Sequence, residues 1–225
     1  MFPERLAQGY RDFLSGRFPG EQSRYATLAE GQNPEIMIVG CCDSRVSPEV
    51  IFDASPGELF VVRNVANLVP PYETAGDFHG TSAALEFAVQ ALRVKHIVVL
   101  GHARCGGIRA FVDDTAPLSP GDFIGKWVSL IAPAAERLGL RDRDVDSYAA
   151  RLELAAIEHS LANLMTFPCV KILVERGKLQ LHGAYFGIAT GKLLLRDPDT
   201  REFRPAVAHI PQPPSLMRAT EAGRF

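Results

Sequence analysis

The sequence predicts an α/β fold with a mostly parallel central β-sheet flanked by helices. Short apolar runs rich in β-branched residues recur at residues 35–40, 59–62 and 96–100, and helical patterns are interspersed with them. Such runs are typical of buried strands, and strands that alternate with helices favour a parallel sheet. The 225 residues are expected to form one domain, with residues 1–30 as an N-terminal helical arm and residues 205–225 as a loop-like tail.

The arm is predicted from helical spacing alone. Apolar residues recur on one face within residues 3–28, from Leu6 to Leu14, and Pro19-Gly20 is expected to break this helix. Because the arm has no obvious strand partner in the sequence, we expect it to pack on another subunit.

Capping residues and helix breakers place the remaining elements. Thr81 or Ser82 can cap the helix that Gly80 opens. Pro168 suits the first turn of a helix that Gly177 ends. The other predicted helices begin at Gly106 and span residues 122–138 and 147–166, and residues 179–188 and 192–195 are predicted as a strand and its hairpin return.

Composition narrows the class of protein. With 47% hydrophobic and 22% charged residues, the chain has the composition of an ordinary globular protein. The net charge of −2 gives no support for nucleic-acid binding, and the apolar stretches end well short of the ~20 residues that span a membrane. The N-terminal segment lacks the apolar centre of a signal peptide, and four cysteines are too few for a disulfide scaffold. The cytoplasm is therefore the expected location.

Two motifs follow predicted strands directly: Cys-Cys-Asp-Ser-Arg at residues 41–45 and His-Ala-Arg-Cys at residues 102–105. Because the carboxyl ends of parallel strands meet at one edge of a sheet, we expect Cys41, His102 and Cys105 to lie together there. Two thiolates and one imidazole are good zinc ligands, and three protein ligands with an open fourth position are typical of catalytic zinc. The sequence therefore predicts one Zn²⁺ per chain.

Asp43 and Arg45 are predicted to be the catalytic pair. A carboxylate two residues beyond a metal-bound thiolate can reach the metal or its water, and an arginine can hold that carboxylate by a charge-assisted pair. The positive charge keeps the carboxylate ionised, so it can accept a proton at neutral pH. The alternative is a structural salt bridge that closes the loop.

Other interpretations of the cysteines and glycines are weaker. Cys42 and Cys169 are expected to be packing residues, since neighbouring residues that leave a strand point in opposite directions. A P-loop would need lysine where Gly107 stands. A cysteine phosphatase needs a longer spacing than the three residues between Cys41 and Arg45.

The motifs resemble those of the β-class carbonic anhydrases, in particular their plant-like, non-allosteric subgroup. The matching residues run from about residue 30 to residue 190 and comprise Cys-x-Asp-Ser-Arg at 41–45, Pro56-Gly57-Glu58, Arg63-Asn64-x-Ala66-Asn67, His-x-x-Cys at 102–105 and Gly106-Gly107. The bicarbonate-regulated subgroup would carry Trp near Ile38 and Tyr near Phe186, and neither is present. The resemblance implies a homodimer or a higher homo-oligomer, and zinc-dependent reversible hydration of CO2 to bicarbonate and a proton by a zinc-bound hydroxide.

The resemblance also implies which residues bind substrate. Gln32, nine residues before Cys41, is at the position of a glutamine that hydrogen-bonds substrate. Phe60 and Phe87 are at positions where aromatic rings line the CO2 pocket. Gly106, in the Gly-Gly motif, is placed with these substrate-binding residues.

Two points stay open at the level of sequence. Asp43 either occupies the fourth zinc position or pairs with Arg45 and leaves room for water. Carbonyl sulfide or carbon disulfide is an alternative substrate for the same zinc site. A zinc-binding sensor without turnover is a third interpretation, which the loss of Asp43 or Arg45 would have favoured, and both are intact.

Overall fold

The computed structural model describes residues 1–75, 79–139 and 144–206. The strands are β1 (Ile36–Cys41), β2 (Leu59–Asn64), β3 (His96–His102), β4 (Gln180–Gly187), β5 (Lys192–Arg196) and β6 (Phe203–Pro205). They form one six-stranded sheet in the order β2-β1-β3-β4-β5-β6. The first four strands of that order are parallel, and β5 and β6 are antiparallel to their neighbours. The predicted mostly parallel α/β fold is confirmed.

Nine α-helices accompany the sheet within the described residues. They are α1 (Glu4–Asp12), α2 (Phe18–Ala29), α3 (Pro48–Ile51), α4 (Gly80–Glu86), α5 (Gly106–Val112), α6 (Phe123–Val128), α7 (Ala132–Leu138), α8 (Val145–Leu164) and α9 (Pro168–Glu175). Over the part of the chain that the structure describes, none of these helices has the length and apolarity needed to cross a bilayer.

Strand β1 is buried on both of its faces, which explains its continuous apolar sequence. Met37 and Val39 are fully buried in a core that includes Ile157 of α8. Ile38, on the opposite face, packs in a smaller cluster with Leu100. A strand held from both sides gives the residue at its carboxyl end a fixed position.

The N-terminal arm is helical as predicted, but it does not break at Pro19-Gly20. A π-helical turn over Phe13–Arg17 joins α1 to α2, and helix continues through both residues. Pro19 follows the π-helical turn, and its fixed φ suits the helical conformation, so the helix accommodates this residue. The predicted break is wrong for that reason.

Other boundaries differ by small amounts. The predicted helix over residues 122–138 is divided into α6, a 3₁₀ turn and α7, and Pro133 lies in the first turn of α7. Strands β2 and β3 each extend two residues beyond their predicted ends, to Asn64 and His102. The short strand β6 was not predicted, and residues 207–225 of the predicted tail lie outside the described residues.

Candidate metal centre

Three potential ligands meet at the carboxyl edge of the sheet. Cys41 is the last residue of β1 and His102 the last of β3, and these strands are paired. Cys105 immediately precedes α5. The two sulfur atoms are 3.9 Å apart, and the ligand atoms of all three residues lie within 4.8 Å of one another. The structure therefore brings together the three residues that the sequence places at this edge.

The arrangement of these three residues fits a tetrahedral zinc ion. Bonds of ~2.3 Å to two sulfurs of a tetrahedral ion place those sulfurs about 3.8 Å apart, close to the 3.9 Å between Cys41 and Cys105. The Nδ1 atom of His102 donates a hydrogen bond to the carbonyl oxygen of Ala103 at 2.9 Å. Its Nε2 atom is buried and has no hydrogen-bond partner among the described residues. A bound metal would satisfy this nitrogen, since the other ring nitrogen fixes the tautomer.

The two thiols interact strongly with each other. A hydrogen bond from Cys105 lowers the pKa of Cys41 to about 4. The same bond, together with burial, raises the pKa of the Cys105 thiol. Backbone amides oppose that rise, because those of Gly107 and Ile108 bond the Cys105 sulfur. The site thus holds one thiolate readily, and a dication would favour the second, because the thiolate is the ligand form.

Asp43 is held by Arg45 on the open side of the site. Arg45 donates from Nε to Oδ1 at 2.8 Å and from Nη2 to Oδ2 at 2.6 Å. The guanidinium holds the pKa of the Asp43 carboxyl well below its usual range. Asp43 Oδ2 lies 4.0 Å from His102 Nε2. Both carboxylate oxygens accept hydrogen bonds from Arg45, so a metal held by Cys41, His102 and Cys105 would keep a fourth position open.

Arg63 and Glu153 also position the site, and no role was predicted for either residue from the sequence. Arg63, on β2, donates to the carbonyl oxygens of Cys41 and Asp43 at 2.8 and 2.7 Å. Glu153, a buried residue of α8, accepts a bond from the backbone amide of Cys105 at 2.9 Å. A charged residue at the end of an apolar strand, or on the apolar side of a helix, is the sequence signal that could have indicated them.

The two glycines after Cys105 serve different purposes. An ideal Cβ atom at Gly107 would lie 2.7 Å from Val65 Cγ1 and 2.9 Å from Ala66 Cβ. Only glycine lets α5 approach this segment so closely. A Cβ atom at Gly106 would meet nothing within 4 Å, and the substrate-binding role of this residue stays a prediction.

The remaining predicted substrate-binding residues do not reach the metal group within one chain. Gln32 is exposed and precedes the amino end of β1, whereas Cys41 ends that strand. At ~3.3 Å per residue, the two ends of β1 are separated by about 16 Å. Phe60 pairs with Met37 at the same distant end, and its ring lies 5.9 Å from that of Phe87. Their roles remain predictions.

The two remaining cysteines differ in burial. Cys169 is partly buried against the main core, in line with a packing role. Cys42 is exposed, so the expectation that it packs in the interior is wrong. It directly follows the end of β1, and its side chain does not enter the cluster that holds Cys41.

Comparison with known proteins gives the family. The carbonic anhydrase family model matches residues 36–193, which include β1 to β4 and all three potential ligands. The chain is 36% identical over 193 residues to β-carbonic anhydrase 3 of Arabidopsis thaliana, a match that covers 84% of this chain and 74% of that protein. The chain therefore belongs to the β-carbonic anhydrases, a family of enzymes.

A second plant relative and two solved structures agree with this assignment. The chloroplastic β-carbonic anhydrase 5 of Arabidopsis thaliana is 37% identical over 183 residues, which cover 80% of this chain but only 60% of that protein. The β-carbonic anhydrase CcaA superimposes with a TM-score of 0.79 at 30% identity, over 92% of this chain and 93% of that one. A tetrameric β-carbonic anhydrase of Sordaria macrospora superimposes with a TM-score of 0.66 at 30% identity, over 85% of this chain and 92% of that one.

Proposed function

We propose that this chain catalyses the reversible hydration of CO2 to bicarbonate and a proton at a zinc ion held by Cys41, His102 and Cys105. The observation that carries the proposal is the buried triangle of two sulfurs and one unpartnered imidazole nitrogen, beside an ionised carboxylate. When bound, the metal would supply a Lewis acid that lowers the pKa of a coordinated water.

Asp43, held by Arg45, supplies the hydrogen-bond acceptor of the site. Because Arg45 keeps Asp43 ionised, Asp43 can accept a hydrogen bond from the attacking oxygen and orient it toward CO2. Arg45 also donates to the carbonyl oxygen of Arg104 at 3.2 Å. It therefore connects the Asp43 loop to the His102–Cys105 turn and keeps the carboxylate facing the metal position.

Stopped-flow CO2 hydration, measured together with zinc content, tests the proposal. We expect turnover that depends on one zinc per chain. Zinc-loaded protein that does not hydrate CO2 would contradict it. The same preparation assayed with carbonyl sulfide and carbon disulfide distinguishes the alternative substrates, and no turnover of any substrate would favour the zinc-binding sensor.

We propose that the active unit is a homodimer or a multiple of dimers. None of residues 4–29 is buried, and Leu6, Tyr10 and Leu14 are large exposed apolar residues. An exposed apolar stripe of this kind is typical of an interaction surface. The tetrameric Sordaria macrospora relative is a family member that assembles from several chains.

The placement of the substrate-binding residues supports the same assembly. Gln32, Phe60 and Phe87 lie away from the metal group of their own chain, and Phe87 is 48% exposed. We propose that they complete the substrate pocket of a partner subunit. A mixed dimer tests this. One chain carries C105S and the other carries Q32A. If Gln32 serves the site of its partner, both changes fall on one site and the other site stays active. If Gln32 serves the site of its own chain, each site carries one change and both are impaired.

The proposed location is the cytoplasm. The cysteines at 41, 42, 105 and 169 are all free, which suits a reducing compartment. Fractionation of the native cells tests the location, and recovery with a membrane-enclosed compartment would contradict it.

A further inference from the structure

We infer that Glu153 is a positioning residue that fixes the metal-binding turn, with Tyr185 holding its carboxylate in place. Glu153 is 5% exposed. Its Oε1 atom accepts from the backbone N–H of Cys105 at 2.9 Å, and its Oε2 atom accepts from the Tyr185 hydroxyl at 2.6 Å. One carboxylate thus links α8 and β4 to the backbone of a metal ligand. The inference rests on the metal site proposed above.

The turn between His102 and Cys105 needs such support because its conformation is unfavourable. Arg104 has a φ of 56°, in the left-handed region that a non-glycine residue adopts only when its surroundings impose it. A cavity of about 440 Å³ lies beside the turn and is lined by Arg104, Cys105, Glu153 and Tyr185 among others. On that side packing alone does not hold the turn, so hydrogen bonds must.

Three hydrogen bonds from residues distant in sequence help to hold the backbone of this turn. Ala103 donates its N–H to the carbonyl oxygen of Phe186 on β4 at 2.9 Å. Arg45 donates to the carbonyl oxygen of Arg104 at 3.2 Å. Glu153 accepts from the ligand residue itself, so it alone of the three fixes the backbone from which the Cys105 sulfur projects. Losing that bond should move the sulfur relative to the metal.

Release of zinc from the full-length holoenzyme to a chromogenic chelator tests the role of Glu153. In Glu153→Leu both hydrogen bonds are lost, and we expect zinc to leave about 10–100-fold faster, as when residues behind metal ligands are changed in other proteins. Tyr185→Phe removes one support and should give a smaller acceleration. Glu153→Gln keeps an oxygen that can accept from Cys105, so its release rate should be closer to wild type than that of Glu153→Leu. The visible spectrum of Co²⁺-substituted protein should shift in the same order.

Glu158→Leu is the matched control. Glu158 lies five residues further along α8 and pairs with Arg196 on β5, away from the metal turn. We expect this variant to lower the melting temperature and to leave zinc release and the Co²⁺ spectrum unchanged. If Glu153→Leu does not fold, Tyr185→Phe decides. Release at the wild-type rate in Glu153→Leu, or in Tyr185→Phe where the leucine variant does not fold, would overturn the positioning role, whereas wild-type protein that binds no zinc would instead refute the metal site.

Discussion

The metal edge of the sheet and the N-terminal arm differ in how completely one chain builds them. Around Cys41 and His102 the ligands are buried, and Arg45, Arg63 and Glu153 hold the surrounding backbone by hydrogen bonds. The helices at residues 4–29 have no buried residue at all. A single chain therefore suffices to build the metal centre, while the arm has an apolar face that its own chain leaves uncovered.

This difference predicts that zinc binding can be separated from subunit association and substrate binding. Zinc binding should depend on the metal edge and survive changes to the arm. Association and substrate binding should depend on the arm and on the residues beyond it, such as Gln32. The following predictions test whether the two regions can be separated in this way.

The largest effect is expected from Cys105→Ser, which removes a ligand. A hydroxyl is a poor zinc ligand, so metal affinity should fall by more than the ~10–100-fold typical of changes behind the ligands. Activity should be lost with the metal. Zinc content after dialysis, compared with Cys169→Ser as a control outside the site, measures this. Full, tightly bound zinc in the Cys105 variant would refute the ligand assignment.

Asp43→Asn should separate catalysis from metal binding at the same edge. The amide keeps the size of the side chain but not its charge, so zinc should stay bound while CO2 hydration falls by about 100-fold or more. Near-normal turnover would leave only the structural salt bridge as the role of Asp43.

The pH profile sharpens the same experiment. Arg45 lowers the pKa of Asp43, so the carboxylate stays ionised above its ordinary pKa of ~3.9 and does not titrate between about pH 6 and 9. Wild-type activity should nevertheless rise toward alkaline pH, because two thiolates donate charge to the ion and weaken it as a Lewis acid compared with three imidazoles. The residual activity of Asp43→Asn should still rise toward alkaline pH. Loss of this pH dependence in the variant would show that Asp43 is the titrating group.

The clustering of the three candidate metal ligands could be predicted from the sequence because they follow strands that the apolar runs mark. Each ligand lies at or just after the end of a strand, so local patterns place it at one edge. Arg63 and Glu153 act on backbone atoms 20 and 48 residues away in sequence, and no local pattern reports such a contact. The helix through Pro19 was missed because no sequence pattern indicates the π-helical turn at Phe13–Arg17 that precedes this proline. The exposure of Cys42 was not predicted, because the alternation of side chains along a strand gives the direction of this side chain but not whether other residues cover it.

Removal of residues 1–26 tests the arm itself. The deletion leaves Leu28, whose side chain lies against Gly57, and removes the exposed stripe. We expect weaker association, zinc that stays bound, and activity reduced about tenfold or more, because a disturbed arm misplaces substrate contacts. The full-length variant Leu6→Ser with Tyr10→Ser is the matched control for chain length. Sedimentation as the wild-type oligomer with unchanged kinetics would contradict the role of the arm.

The smallest effect is expected on the free energy of unfolding, when each of two neighbouring glycines at the metal edge is replaced by alanine. Gly107→Ala would place a Cβ atom 2.7 Å from Val65 Cγ1 and 2.9 Å from Ala66 Cβ, so α5 must shift. Overpacking of this kind costs about 1–3 kcal/mol in the free energy of unfolding. Gly106→Ala meets no atom within 4 Å, and its free energy of unfolding should stay within about 0.5 kcal/mol of wild type. Urea unfolding of the zinc-loaded proteins measures both values. Because Ala66 also donates its backbone amide to the Cys41 sulfur, the shift in Gly107→Ala should in addition speed zinc release, which Gly106→Ala should not. Equal stability of the two variants would mean that the packing at the metal edge is looser than the contacts around Gly107 indicate. The metal edge would then be incompletely packed within one chain, as the arm is.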